Sequence, residues 1–227
     1  MRFYIISLIL VIHAFDIYAQ DAKKSNLLGI HSGFTFSKLR GDRMLAYYHN
    51  KSKLNTQFGI SYHIAHNQPV GMKIQVNYVN LGTGFSDIRG DGINDNFPGD
   101  ANFHINNKYI HTNIALTVSP FKSRFVYFES GLYVSYLIDA ILEGEILDGN
   151  NGVYVPISLN FSEETKDTDL GITVGIGSNL KIFDHLFLGL GIKYNYGFLD
   201  VVVDAGIDDG EYQNSFLMCD LGLKLLL

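Results

Sequence analysis

The stretch Asp169-Leu170-Gly171-Ile172-Thr173-Val174-Gly175-Ile176-Gly177 decides the fold. In an extended chain successive side chains point to opposite faces, so Leu170, Ile172, Val174 and Ile176 share one side. Gly171, Thr173, Gly175 and Gly177 share the other, which is small and only weakly polar. The same alternation recurs seven more times. It predicts eight strands over residues 27–37, 56–66, 69–80, 108–118, 124–137, 168–180, 185–197 and 215–227. Their lengths match or slightly exceed the roughly 9–11 residues that a tilted strand needs to cross a bilayer.

The connections alternate as regularly as the strands. Residues 38–55, 81–107, 138–167 and 198–214 are long, whereas 67–68, 119–123 and 181–184 are short. Tight turns on the periplasmic side and long loops outside are the pattern of an outer-membrane barrel. Four long and three short connections put both termini in the periplasm. Within the third long connection, Val153, Val155, Ile157, Leu159 and Phe161 alternate again after Asp148-Gly149-Asn150-Asn151-Gly152. A ninth spanning strand would break the rhythm, so this segment is expected as a hairpin rising above the membrane from the fifth strand.

Alternation alone does not separate a membrane barrel from a soluble barrel or sandwich. The polar face does. In water it would be rich in Lys, Glu and Asp; here it is mostly Gly, Ser, Thr, Asn, Gln and Tyr, with isolated charges at Lys73, Glu129, Lys193, Asp220 and Lys224. Small side chains suit the narrow interior of eight strands. Phe36, Phe58, Tyr78, Tyr136 and Tyr196 fall on the apolar face beside the long loops, where an aromatic girdle belongs.

The N-terminus supports export. Met1-Arg2-Phe3-Tyr4 precedes an apolar run from Ile5 to His13 and a small residue at Ala19, which reads as a signal peptide over residues 1–20, cleaved beside Ala19 or Gln20. The run is too short to span a membrane. Residues 21–227 then form one barrel domain. Losing Arg2 and Asp16 leaves the net charge at −6, which argues against nucleic acid as a partner. A single cysteine, Cys219, excludes an internal disulfide framework and any multi-cysteine zinc site.

At this point the chain resembles the PorT-like family of bacterial outer-membrane β-barrels. The matching stretches are Gly29-Ile30-His31-Ser32-Gly33-Phe34-Thr35-Phe36-Ser37, Tyr127-Phe128-Glu129-Ser130-Gly131-Leu132-Tyr133-Val134, the opening Asp169–Gly177 stretch, and Lys193-Tyr194-Asn195-Tyr196-Gly197. The resemblance implies an eight-stranded barrel and an outer-membrane address; one group in that family takes part in type IX protein secretion. There are two departures. Tyr109-Ile110-His111-Thr112 is followed by Asn113 rather than Pro, and the chain ends Leu225-Leu226-Leu227 rather than in an aromatic residue.

Catalytic templates fit poorly. His31, His63, His111, Ser61, Ser135 and Glu129 fall on the lumen face, where a nucleophile and base would have to meet. Ser130-Gly131 lacks the surrounding Gly-x-Ser-x-Gly and points to lipid by parity. His63 and His66, three apart, are expected on opposite faces of a strand. Asp91-Gly92-Ile93-Asn94-Asp95-Asn96 fails the spacing of a calcium loop. Glycines 175, 177, 189 and 191 lie on strands with no following helix, so they are lumen spacers rather than a dinucleotide fingerprint. No enzyme activity and no cofactor is expected.

The lumen charges make a sharper expectation. Glu129 is placed to pair with Lys73 or Lys193, and Asp220 with Lys193 or Lys224, because isolated buried charges are costly. Pairing would plug the barrel; separate hydrated charges at a wet mouth are the alternative. Loop charge is uneven: Lys38, Arg40, Arg43, Lys51 and Lys53 in the first long loop oppose acidic third and fourth loops. The expected function is a structural or interaction barrel, with a secretion role through the PorT-like resemblance. A narrow channel and a barrel hydrolase are the alternatives. Expected partners are outer-membrane lipid, lipopolysaccharide and envelope or secretion proteins.

Overall fold

The computed structural model describes residues 25–41, 49–88, 101–121, 125–148, 153–202 and 212–227. The expected signal peptide, the Asp91–Asn96 stretch and parts of the first and fourth long loops, Arg43 included, lie outside the described residues. Among the described residues nine strands run in chain order: β1 (Leu27–Arg40), β2 (His49–Ile64), β3 (Val70–Ile88), β4 (Ala101–Val118), β5 (Val126–Asp148), β6 (Val153–Asn160), β7 (Thr168–Lys181), β8 (Leu186–Gly197) and β9 (Gln213–Leu226).

All but β6 form a closed antiparallel ring. Neighbours pair in the order β1, β2, β3, β4, β5, β7, β8, β9, and β9 returns to β1. The fold is therefore the eight-stranded up-and-down barrel that the alternation implies. Following Cα partners once around from Leu27, through His63, Lys73, Ala115, Gly131, Thr173, Asn195 and Phe216, leads back to β1 at Ser37, ten residues along. That stagger tilts the strands by about 40° to the barrel axis.

Burial follows parity. On β7, Leu170, Ile172, Val174 and Ile176 are exposed, while Asp169, Gly171, Thr173 and Gly177 are buried. Exposed Leu, Ile, Val and Phe side chains on the other ring strands complete an apolar outer band. Phe36, Phe58, Tyr136 and Tyr196 of the expected girdle are exposed; Tyr78 is partly covered because its ring stacks on Phe58 at 5.2 Å.

The strands reach further than alternation indicates at one end only. β2 begins at His49 rather than 56, β3 continues to Ile88 rather than 80, β4 begins at Ala101 rather than 108, and β5 runs on to Asp148 rather than 137. Beyond the band neither face has to be apolar, so the period-two signal fades while the ladders continue. β6 pairs with Ile141–Asp148 of β5 and stays out of the ring, giving the hairpin expected there. The upper parts of β2 to β6 thus form a wall standing on one side of the mouth opposite the termini.

Two connections lean against that wall. Phe161 N donates to Ala140 O, and Leu137 N to Asp167 O, holding residues 161–167 to β5. Lys166 N donates to Val201 O, and Thr165 bridges Val202, so residues 198–202 cross the same mouth.

Candidate functional site

The lumen is filled in layers. Nearest the termini, Lys224 threads between Gly29 and Gly189, where an added Cβ would lie 2.5 Å from its Cγ and Cε respectively. Its ammonium donates to Asn179 Oδ1 at 2.6 Å. Gly177 plays the same part for Tyr127, whose ring occupies the space a Cβ would take. The alternating glycines of β7 and β8 therefore make room for long side chains that lean over them from the neighbouring strands β5 and β9.

Above them lie the other charges. Lys73 Nζ stands 2.9 Å from Glu129 Oε2 and 3.0 Å from Tyr127 OH. Lys193 Nζ donates to Gln75 Oε1 at 2.6 Å and lies 3.4 Å from Asp220 Oδ2. Gln75 Nε2 reaches the same carboxylate oxygen at 3.4 Å, so Gln75 binds both members of the Lys193–Asp220 pair. Of the five charges singled out in the sequence, the structure brings together Lys73 with Glu129 and Lys193 with Asp220; Lys224 is served by an amide oxygen instead. Lys73 and Lys193 are each only 1% exposed.

Toward the far mouth the interior turns apolar. Val79, Leu81, Tyr109, Tyr133, Leu137, Ala140, Phe216 and Met218 pack into one buried cluster, with Phe161 against it. Leu39, Ile105 and the fully buried Val201 continue it under the crossing segments. Asp200 fixes this strap: Oδ2 accepts from Lys166 Nζ at 2.9 Å, and Oδ1 from the Tyr212 amide at 2.8 Å and the Val202 amide at 3.3 Å. Partial burial pulls its carboxyl upward, but these donors outweigh that and hold it below the ordinary carboxylate range.

The sequence reading missed this apolar cap. Its signal lies at Tyr78-Val79-Asn80-Leu81, where apolar residues change from the outer face to the inner one without a break in the strand. Arg40 was also overlooked as an element of the rim: its guanidinium lies 3.6 Å above the Tyr196 ring and donates to Gly197 O.

The histidines and hydroxyls considered for catalysis separate. His31 Nε2 meets Asn77 Oδ1 at 2.5 Å, and His63 Nε2 meets Thr117 Oγ1 at 3.0 Å. Ser61 is buried and Glu129 is taken by Lys73. Of the candidates themselves, His111 and Ser135 meet as base and hydroxyl, Nδ1 to Oγ at 2.9 Å. Asp169 faces Ser135 across the ladder, yet its carboxylate accepts from Tyr133 OH and Asn214 Nδ2 rather than orienting the histidine. The apolar cap lies over them: His111 is 1% exposed and Ser135 fully buried, leaving no place for a substrate. His63 and His66 are not on opposite faces of one strand. β2 ends at Ile64, Ala65 turns the chain with a φ of 53°, and the two rings come within 6.2 Å. Among the described residues, no group of three His, Cys, Asp or Glu could hold a metal ion.

The family that the chain matches agrees with this architecture. Residues 18–203 match the family described as the outer membrane protein beta-barrel domain. Solved structures with similar folds include Ail of Yersinia pestis, determined in complex with the heparin analogue sucrose octasulfate (12% identity over 89% of this chain and 99% of that one, TM-score 0.38). OprG of Pseudomonas aeruginosa (12%, 91% and 98%, TM-score 0.43) and CarO2 of Acinetobacter baumannii (12%, 88% and 99%, TM-score 0.44) are others. No curated protein sequence matches the chain.

Proposed function

The chain belongs to the outer membrane protein β-barrel domain family and sits in a bacterial outer membrane; from that premise we propose that it is a closed, non-enzymatic barrel that works by contact. The termini and short turns face the periplasm, and the wall built by β2 to β6, with the strap beside it, faces outward. The observation that carries this reading is the filled lumen, with Lys73–Glu129 and Lys193–Asp220 below and the Val79–Met218 cluster above. A solute route would wet these side chains, and a hydrolase would need the His111–Ser135 pair to be open. The test is reconstitution in planar bilayers. Purified protein inserts without unitary current steps; reproducible steps would overturn the closed reading.

The lipid-facing band and girdle hold the barrel among outer-membrane lipid and lipopolysaccharide, and envelope proteins meet the exposed wall. The finer reading, an accessory role in protein secretion, rests on the PorT-like stretches of β1, β5, β7 and β8. Comparing secreted and surface-attached proteins between a deletion strain and its parent tests it: cargo held in the periplasm supports the role, and an unchanged profile removes it.

A further inference from the structure

We infer that β6 is a docking edge for an extended segment of a partner protein whose residues alternate apolar with lysine or arginine. This rests on the contact role proposed above and names the surface and the kind of partner. β6 stands last in the sheet order and, among the described residues, pairs with β5 alone. Its other edge presents main-chain N–H and C=O groups at the spacing another strand pairs with. Pro156 has no N–H to give, which leaves the remaining groups of the edge in place.

The two faces of β6 specify what fits. Val153, Tyr154, Val155 and Leu159 are all about half exposed, and Val153–Asn160 carries no charged residue to guard the edge. Directly paired residues of antiparallel strands point the same way. Ile157 and Leu159 therefore lie on the side of Gly144 and Leu142, which continues into Ile105 and Phe85 of the strap cluster. Pro156 and Ser158 lie on the opposite side with Glu145 and Glu143, both exposed. An added strand would sit about 4.8 Å beyond β6. Its inner side chains would extend the apolar face. Its outer side chains would pass over Pro156 and Ser158, small enough to let lysine or arginine reach the two carboxylates. Glu143 already accepts from Asn106 Nδ2 at 2.9 Å and has Lys53 near it, yet a second copy would bring two further carboxylates to this face and no lysine or arginine on its own β6, so a basic partner strand fits better.

The experiment uses the full protein in lipid nanodiscs and a capped synthetic peptide, as long as β6, that alternates valine and lysine. Two controls replace lysine with glutamate or sort the same residues into blocks. The alternating basic peptide is expected to slow hydrogen exchange at residues 153–160 and to bind about tenfold or more tightly than the acidic one. Glu143→Gln/Glu145→Gln abolishes that preference while exchange in β7 to β9 stays unchanged, showing an intact barrel. No protection of β6 at saturating peptide, or equal binding of basic and acidic peptides, overturns the inference. So does protection of β6 by self-association without peptide. A failed peptide with silent bilayers removes this docking edge alone, whereas unitary currents remove the closed-barrel reading.

Discussion

Lys73 and Glu129 show how a single side chain depends on its partner inside this barrel. Glu129 Oε2 meets Lys73 at 2.9 Å with both side chains almost wholly buried. Glu129→Gln leaves an ammonium with no carboxylate beside it, and removing one partner of a buried pair costs about 3–5 kcal/mol. Glu129→Gln/Lys73→Gln removes both charges and is expected to recover most of that loss, as measured by urea unfolding in lipid vesicles. Equal losses in the single and double variants would show that the two charges act independently. These residues were legible one by one, since each is a lone charge on a small-residue face. Their partners were narrowed to two for each acid but not fixed, because parity gives the face of a strand and not its height. The stagger of ten residues decides which charges meet, and it exists only once the ring is closed.

At the scale of elements, what alternation revealed and what it missed follow from the solvent on each side. Inside the apolar band one face meets lipid and the other meets the lumen, so β1, β7, β8 and β9 were readable almost to their ends. The upper halves of β2 to β5 have no lipid to enforce the contrast, and there the reading stopped short by several residues. The strap was invisible for another reason: it is held by one aspartate and a few backbone bonds, with no periodicity at all. Its behaviour follows from Asp200. Because the folded carboxyl titrates below its ordinary value of about 3.9, the strap contact is fully present above that pH and fades as pH falls through the lowered value. The amide resonances of Val202 and Tyr212 should shift together with one midpoint below about 3.9, and Asp200→Asn should abolish the shift. Amides that do not move with pH, or that titrate unchanged in the variant, would remove Asp200 from this role.

For the whole molecule, the closed barrel proposed above makes the two interior layers seals in series. The charged layer spans β3, β5, β8 and β9, and the apolar cap draws on β3, β4, β5, β9 and Phe161. Opening one therefore leaves the other shut. Lys73→Ala/Glu129→Ala is expected to stay silent in planar bilayers although it hollows the charged layer. Steady current through that variant would mean that the apolar cap does not close the mouth. The membrane barrel and its strand count were legible from the sequence because lipid on one side and a narrow interior on the other leave their mark on every second residue. The cap was not, since apolar residues facing inward look like the continuation of a core.

The seam of the ring also governs how the chain comes together. Leu27 pairs with Leu226, and Arg40 with Gln213, so the first strand, already paired with β2 on one side, finds its second neighbour only in the last. Until β9 has been made and delivered, β1 keeps an open edge, and nearly the whole chain must be brought back on itself to cover it. Contacts so distant in sequence form late and slowly. Registration at the seam, rather than any hairpin along the way, is therefore the committing step, and a growing chain has to be kept from pairing wrongly for as long as that takes.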